Sequence, residues 1–177
     1  MRLQTPLSQG SVALGEELNT YTMKTAIFPG SFDPFTRGHA ALVEQALQLF
    51  DRVVVAIGEN VNKRSLLTLD ARKRLIEQYY ANEQRVKCIT YSTLTGEAAK
   101  EVEATALIRG VRNSIDCEYE RTLAQTNARL FPQLTTVVLF TPADMADISS
   151  STVRELHSFG RDVEWLLPEG IYLKDFL

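Results

Sequence analysis

The chain has 177 residues and a mass of 19.9 kDa, which is room for one domain of ordinary size. Its composition, 45% apolar and 23% charged, is typical of a globular domain and excludes disordered, fibrous and disulfide-rich chains. The net charge of −3 supplies too few cations for tight binding to DNA or RNA, so we expect any phosphate-bearing partner to be small.

The first 22 residues differ in pattern from the rest of the chain. They are polar and show no sustained period, so we expect a flexible extension, a tag or a mis-start, with residues 23–177 forming a single domain. No apolar run is long enough to span a bilayer, and the start lacks the apolar core of a secretory signal. We therefore expect a cytoplasmic protein with no membrane partner.

From Met23 onward, strand-like and helix-like patterns alternate. Runs rich in β-branched residues predict strands at Thr25–Pro29, Arg52–Gly58, Arg85–Tyr91, Thr105–Arg109 and Thr136–Phe140. Helical spacing and capping residues predict helices at His39–Phe50, Thr68–Ala81, Glu97–Glu103, Ser114–Leu130 and Ser151–Phe159, the last ended by Gly160.

This alternation predicts an α/β fold: a Rossmann-like, doubly wound, five-stranded parallel sheet with helices on both faces. In such folds, ligands bind beyond the carboxyl ends of the strands. The two cysteines, Cys88 and Cys117, belong to no CxxC pair, so we expect reduced, partly buried thiols rather than metal or redox ligands.

The first predicted strand leads into the segment Pro29–His39, which reads PGSFDPFTRGH. Gly30 allows a sharp turn, and Ser31 supplies a hydroxyl near the sheet edge. His39 stands in the first turn of a helix, where free N–H groups favour a phosphate. A simple helix cap at His39 is the alternative. Neither a GxGxxG nor a GxxxxGK[ST] motif is present.

Lys63 lies in the loop after the second predicted strand, at the same edge of the sheet. Loops at this edge carry binding residues, although a solvated surface lysine is the alternative.

Two arginines, Arg109 and Arg112, flank Gly110 and Val111 where the fourth predicted strand ends. Arginine binds phosphate bidentately, and the glycine lets backbone N–H groups approach a ligand. An ion pair with a helix carboxylate is the alternative. The segment Asp116–Glu120 follows, and for Asp116 and Glu118 a charged helix face is the alternative.

A second candidate anion site follows the fifth predicted strand. Ser149, Ser150 and Ser151 provide three hydroxyls at a helix N-terminus, where a single serine would suffice as a simple N-cap.

Together these motifs resemble the nucleotidylyltransferase superfamily, whose signature is a glycine turn, Phe-Asp-Pro and [HT]xGH. The Thr36-Arg37-Gly38-His39 form resembles bacterial phosphopantetheine adenylyltransferases in particular, as do the segments Val61–Arg64, Leu107–Arg112, Asp116–Glu120 and Ile148–Ser151. The resemblance extends from Met23 to about Leu167. Met145, Ala146 and Asp147 depart from the family, which often has aromatic residues before the serines.

The resemblance implies transfer of AMP from ATP to 4′-phosphopantetheine, giving 3′-dephospho-coenzyme A and pyrophosphate. It implies that His39 stabilises the transition state and that Lys63, Arg109, Ser31 and Thr95 hold phosphopantetheine. It also implies an ATP site made of Ser31, Phe32, His39, Gly110, Val111, Arg112, Glu120, Met145, Ala146, Asp147, Ile148, Ser149, Ser150 and Ser151.

The resemblance further implies Mg²⁺ held on the phosphates rather than by protein ligands, a homohexamer, and coenzyme A as a candidate inhibitor. The residues alone leave two alternative functions open. One is an adenylyl- or cytidylyltransferase with another phosphate acceptor, and the other is a non-catalytic nucleotide-binding module.

Overall fold

The structure is a computed structural model that describes residues 22–59 and 64–177. These residues form one five-stranded sheet in which every pairing is parallel and the strand order is β3-β2-β1-β4-β5. The strands are β1 (Thr25–Gly30), β2 (Arg52–Gly58), β3 (Val86–Tyr91), β4 (Ala106–Val111) and β5 (Thr135–Phe140). The predicted fold class is confirmed. The proposed extension at residues 1–22 lies, except for Thr22, outside the described residues.

Helices alternate with these strands as predicted: α1 (Arg37–Ala46), α2 (Leu69–Tyr79), α3 (Thr95–Glu101), α4 (Ser114–Leu130) and α5 (Ser150–Ser158). Thr68 caps α2, because its side chain accepts a hydrogen bond from the N–H of Ala71. Gly160 follows α5 with a φ of 67°, as expected of a glycine at a helix C-terminus.

Several predicted boundaries were wrong by a few residues. Helix α3 begins at Thr95, two residues before the predicted start at Glu97, because the Glu97 side chain accepts from the N–H of the N-cap residue Leu94. Helix α1 begins at Arg37 and ends at Ala46, short of the predicted end at Phe50. Strand β4 continues to Val111, so Gly110 belongs to the strand rather than to the following loop.

Apolar side chains pack on both faces of the sheet, since successive strand residues point to opposite sides. On one face, Ala26, Phe28 and Val55 pack with residues of α1, α2 and α5. On the other face, Ile27, Ala56 and Leu107 pack with residues of α3, including Ala98 and Ala99. Helices on both faces are what a doubly wound sheet requires.

The strand order reverses direction between β1 and β4, and these two strands diverge there. Strand β1 pairs with β2 along all six of its residues, but with β4 only through Ala26 and Ile27. Beyond Ile27 the two strands separate toward their carboxyl ends. This topological switch point is where ligands bind in doubly wound folds, so the fold opens a cleft at the expected edge.

Helix α4 contributes little to the core, because Glu120 is its only buried residue. Apolar side chains of α4 and of the neighbouring β5 are largely exposed instead: Ile115, Tyr119, Leu130, Val138 and Phe140. We call these five residues the α4–β5 apolar face. Cys117 of α4 is also exposed, so its predicted partial burial was wrong, whereas Cys88 is half-buried. Burial raises the pKa of the Cys88 thiol to about 12.

The C-terminal residues pack against the main core through Leu166, Leu167, Ile171, Leu173 and Phe176. Leu166 and Leu167 are buried, while Trp165 is about half exposed. The carbonyl of Trp165 accepts a hydrogen bond from Nη1 of Arg37 at 3.1 Å, which ties this segment to the start of α1. In the described residues, none of the helices is both long and apolar enough to cross a membrane.

Candidate active site

A cleft of about 490 Å³ opens at the switch point between β1 and β4. Loops that leave β1, β4 and β5 form its walls. Its lining includes most of the residues predicted to contact substrates: Ser31, Phe32, His39, Arg109, Gly110, Arg112, Ile148, Ser149, Ser150 and Ser151. Residues spread over 120 positions of the sequence therefore meet at one site.

The turn after β1 depends on the glycine at position 30. A Cβ atom on Gly30 would lie 2.8 Å from the ring of Phe32, too close for any real side chain. Phe32 has a φ of 44°, in the left-handed region that non-glycine residues rarely adopt. Its ring is buried and packs edge-on against His39, with ring centroids 5.1 Å apart. A strained turn of this kind is typical of a functional site.

Hydrogen bonds from Thr36 fix the orientation of the His39 ring. Nδ1 of His39 accepts from the backbone N–H of Thr36 at 3.0 Å and lies 2.8 Å from its hydroxyl oxygen. Because Nδ1 accepts a backbone N–H, it carries no proton, and the proton of the neutral ring resides on Nε2. His39 is therefore a hydrogen-bond donor at the cleft, through Nε2–H.

The surroundings of His39 keep its imidazole neutral. Burial and, to a smaller extent, the positive charge of Arg112 together lower the pKa of His39 to about 4. The rings of Phe32 and Phe35 lie 5.1 Å and 5.4 Å from it, centroid to centroid. A neutral imidazole can donate a hydrogen bond to a phosphate across the whole physiological pH range.

The low pKa of His39 predicts a loss of stability in acid. Between pH 6.5, the ordinary pKa, and about pH 4, the unfolded chain binds a proton that the folded chain does not. The free energy of unfolding should therefore fall by roughly 2 kcal/mol through this group between about pH 7 and about pH 4.5. Urea denaturation at both pH values, with His39→Asn as the comparison, measures this contribution. An equal fall in the two proteins would contradict it.

Asp33 anchors the loop that follows β2. It is buried, and its two carboxylate oxygens accept the backbone N–H groups of Leu66 and Leu67 at 2.9 and 2.8 Å. Arg72, also buried, donates to the carbonyl of Ser31 at 2.9 Å. These contacts hold the β1 turn and the end of the next loop in one arrangement. Lys63 itself lies outside the described residues.

Carboxylates of α4 pair with both predicted arginines of β4 and its exit. Arg109 makes a two-point contact with Glu120, with both N–O distances 2.6 Å. Arg112 pairs with Asp116 at 2.9 Å, and this hydrogen bond is the main reason that the pKa of Asp116 lies below its usual range. The ion-pair alternative raised for these arginines is therefore present in the structure, while both guanidinium groups also line the cleft.

The N-terminus of α5 forms the opposite wall. Ser149 is the N-cap and accepts from the N–H of Thr152, and the hydroxyl of Ser150 donates to the carbonyl of Pro34 at 2.8 Å. The first N–H groups of a helix have no partner inside it, so they are available to an anion. Ser149 therefore serves as the N-cap that the alternative supposed, and the hydroxyl of Ser150 also has a structural partner.

Arg154 also lines the cleft, although its sequence pattern had indicated no role for it. Its Nη1 donates to the carbonyl of Asp33 at 2.6 Å and its Nη2 to the hydroxyl of Ser151 at 3.1 Å. In the described part of the chain, no carboxylate forms an ion pair with it, unlike Arg109 and Arg112. Its spacing three residues after Ser151 was the signal that could have identified it. Thr36, Leu42 and Thr141 also line the cleft.

Other predicted site residues do not line this cleft: Thr95, Val111, Glu120, Met145, Ala146 and Asp147. Val111 and Glu120 are buried, and Met145 packs against the core. Thr95 begins α3 and its hydroxyl lies 3.0 Å from the Tyr91 hydroxyl, at the carboxyl end of β3. Their predicted roles in binding stay predictions.

Most of the chain is similar in sequence to known proteins. Residues 27–156 match the family model described as cytidylyltransferase-like. A phosphopantetheine adenylyltransferase of Porphyromonas gingivalis is 52% identical over 148 residues, which cover 84% of this chain and 96% of that protein. The enzyme of the same name from Flavobacterium johnsoniae is 43% identical over 152 residues, covering 86% and 99%. The chain belongs to the phosphopantetheine adenylyltransferase family.

A solved structure gives the same fold at much lower identity. A bifunctional NMN adenylyltransferase/ADP ribose pyrophosphatase from Francisella tularensis aligns with a TM-score of 0.62 at 17% identity. The alignment covers 82% of this chain but only 45% of that one. At this identity the likeness supports the fold alone, whereas membership of the phosphopantetheine adenylyltransferase family comes from the full-length relatives.

Proposed function

We propose that the chain transfers the adenylyl group of ATP to 4′-phosphopantetheine, giving 3′-dephospho-coenzyme A and pyrophosphate. The observation that carries the proposal is a neutral His39, with its proton on Nε2, in a cleft lined by arginines and two helix N-termini. The family relatives named for this activity supply the acceptor.

In the proposed mechanism, an oxygen of the acceptor phosphate attacks the α-phosphorus of ATP and the bond to pyrophosphate breaks. The phosphate is anionic at neutral pH, so the step requires no general base. Catalysis then depends on alignment of the two substrates and on donors aimed at the developing charge. Nε2–H of His39 is the proposed donor to the α-phosphate.

The acceptor half of the site follows the carboxyl edge of the sheet from β4 to β3. Arg109, Ser31 and Lys63 are proposed to hold the phosphate. The pantetheine arm is proposed to extend toward Thr95, which follows β3 at the same edge.

The ATP half is proposed to lie between the turn after β1, the end of β4 and the start of α5. Here the N–H groups of Ser150 and Ser151 and the charge of Arg154 face the triphosphate. Met145, Ala146 and Asp147, which the family resemblance implies as ATP ligands, are proposed to contact ATP at its adenine end.

Mg²⁺ is proposed to arrive with ATP as part of the substrate. The described residues include no cluster of three or more candidate metal ligands, and Asp116, the carboxylate that lines the cleft, is paired with Arg112. A hard cation held by triphosphate oxygens and water fits such a donor set.

We also propose a cytoplasmic homohexamer. The α4–β5 apolar face leaves five large side chains exposed, and apolar patches of this kind mark contacts between subunits. Light scattering of the purified chain measures the assembly directly.

The test of this function is Mg²⁺-dependent pyrophosphate release with three substrate pairs: ATP with 4′-phosphopantetheine, ATP with nicotinamide mononucleotide, and CTP with glycerol 3-phosphate. Release with phosphopantetheine alone is expected. Turnover only with another acceptor would support nucleotidyl transfer but would show that phosphopantetheine is not the substrate. No turnover with any pair, beside measurable ATP binding, would favour a non-catalytic binding module.

A further inference from the structure

We propose that Arg72 is a positioning residue for the turn after β1, and that it acts on the substrates through Ser31, which it holds at the edge of the cleft. The inference rests on the proposed function, in which Ser31 contacts the acceptor phosphate. It assigns a part in the reaction to a side chain of α2 that does not itself line the cleft.

The hydrogen bonds of Arg72 go to backbone carbonyls. Nη1 donates to the carbonyl of Ser31 at 2.9 Å, and Nε donates to the carbonyl of Thr68 at 3.4 Å. Arg72 is only 6% exposed, and an arginine buried to this extent is usually paired with a carboxylate. Among residues 22–59 and 64–177, no carboxylate forms an ion pair with it. The guanidinium therefore serves to hold backbone, and the carbonyl it holds is 41 positions away along the chain.

The held carbonyl lies directly before the strained residue of the turn. It belongs to the peptide group that joins Ser31 to Phe32, and Phe32 has a φ of 44°. Rotation about this φ turns the peptide group, so the bond from Arg72 opposes a change of φ. Conformations of this kind persist only where the surrounding structure determines them. Arg72 supplies part of that determination.

Helix α5 holds the same turn from the other side. Nη1 of Arg154 donates to the carbonyl of Asp33 at 2.6 Å, and the hydroxyl of Ser150 donates to the carbonyl of Pro34 at 2.8 Å. Both of these α5 side chains line the cleft, whereas Arg72 does not. Arg72 can therefore be replaced without removing a side chain from the cleft.

Ser31 is the residue through which the effect of Arg72 reaches the cleft. It is exposed and lines the cleft, and its own carbonyl is the acceptor for Nη1 of Arg72. Without that bond the turn can relax toward an ordinary φ, and the Ser31 hydroxyl would shift with it. A small displacement of a group that aligns a substrate is enough to slow a reaction.

The test is a double-mutant cycle in the full chain that combines Arg72→Met with Ser31→Ala. Methionine is unbranched and flexible, so it can fill the space of the arginine, but it has no N–H donors. Alone, Arg72→Met should lower kcat/KM for 4′-phosphopantetheine by about tenfold to a hundredfold, as expected of a displaced positioning group. In the Ser31→Ala background it should lower the same quantity by no more than about twofold, because residues that act through one another are not additive.

The matched control is Arg74→Met on the same helix. Arg74 is exposed, pairs with Asp70 and lies over the ring of Phe176, away from the β1 turn. The kinetics of this variant should match those of the original chain.

Equal falls in kcat/KM in the two backgrounds would overturn the inference, because Arg72 would then act independently of Ser31. A lowered melting temperature with unchanged kcat/KM would also overturn it, in favour of a purely structural role. If Arg72→Met does not fold, Arg72→Lys retains the charge and a donor, and it should give a smaller fall that is again absent in the Ser31→Ala background. No turnover of phosphopantetheine by the original chain would overturn the proposed function, and this inference with it.

Discussion

Replacing His39 with alanine should lower kcat by about a hundredfold or more, because a donor to transition-state charge is worth that much in a preorganised site. The ring is neutral, has its proton on Nε2, and is held by Thr36, so it makes its bond without losing or gaining a proton. Binding of ATP should change little, since the arginines and helix N-termini remain. Rapid-quench turnover and equilibrium ATP binding measure the two quantities separately.

The matched control for that variant is His157→Ala. His157 is in the last turn of α5, is not among the cleft residues, and is partly exposed. The control should retain the original kcat. Near-normal turnover in His39→Ala would remove His39 from the mechanism. A loss of ATP binding as large as the loss of kcat would mean that His39 binds ATP in the ground state and does not act specifically on the transition state.

Replacing Lys63 with alanine should raise KM for phosphopantetheine by about tenfold to a hundredfold, as expected for one charge-assisted hydrogen bond to an anion. Lys63 lies outside the described residues, so this expectation rests on the family motif. Asp33 holds the end of the same loop, through Leu66 and Leu67, against the β1 turn.

The control for Lys63→Ala is Lys87→Ala, which removes an exposed lysine from the edge strand β3. Its kinetics should match those of the original chain. If Lys63→Ala weakened ATP binding and left the acceptor KM unchanged, the two half-sites would have been assigned in reverse.

The fold was predictable because its pattern is local. Strand and helix periods alternate along the chain, and the right-handed crossover rule leaves few ways to assemble them. The cleft at the end of β1 and β4 followed from the same rule. Within the cleft, Ser31, His39 and Ser149 to Ser151 were predictable because each stands directly after a strand or at a helix start.

Long-range side-chain pairs were not predictable in the same way. The sequence indicated Glu120 only through the family resemblance. Nothing in its spacing along the chain predicts its hydrogen bonds with Arg109. The contact between Arg154 and Asp33, 121 positions away, was not predictable, although the spacing of Arg154 from Ser151 was a local signal. The exposure of Ile115 and Tyr119 also escaped the helical pattern, since spacing does not tell a core face from an uncovered one.

The most direct test of the central claim is the stereochemistry of transfer to 4′-phosphopantetheine from ATP made chiral at its α-phosphorus. Direct attack displaces pyrophosphate in one in-line step, so dephospho-coenzyme A should form with inverted configuration at that phosphorus. Retention would mean two displacements through a covalent intermediate and would contradict the mechanism. Failure to form labelled dephospho-coenzyme A at all would contradict the function itself.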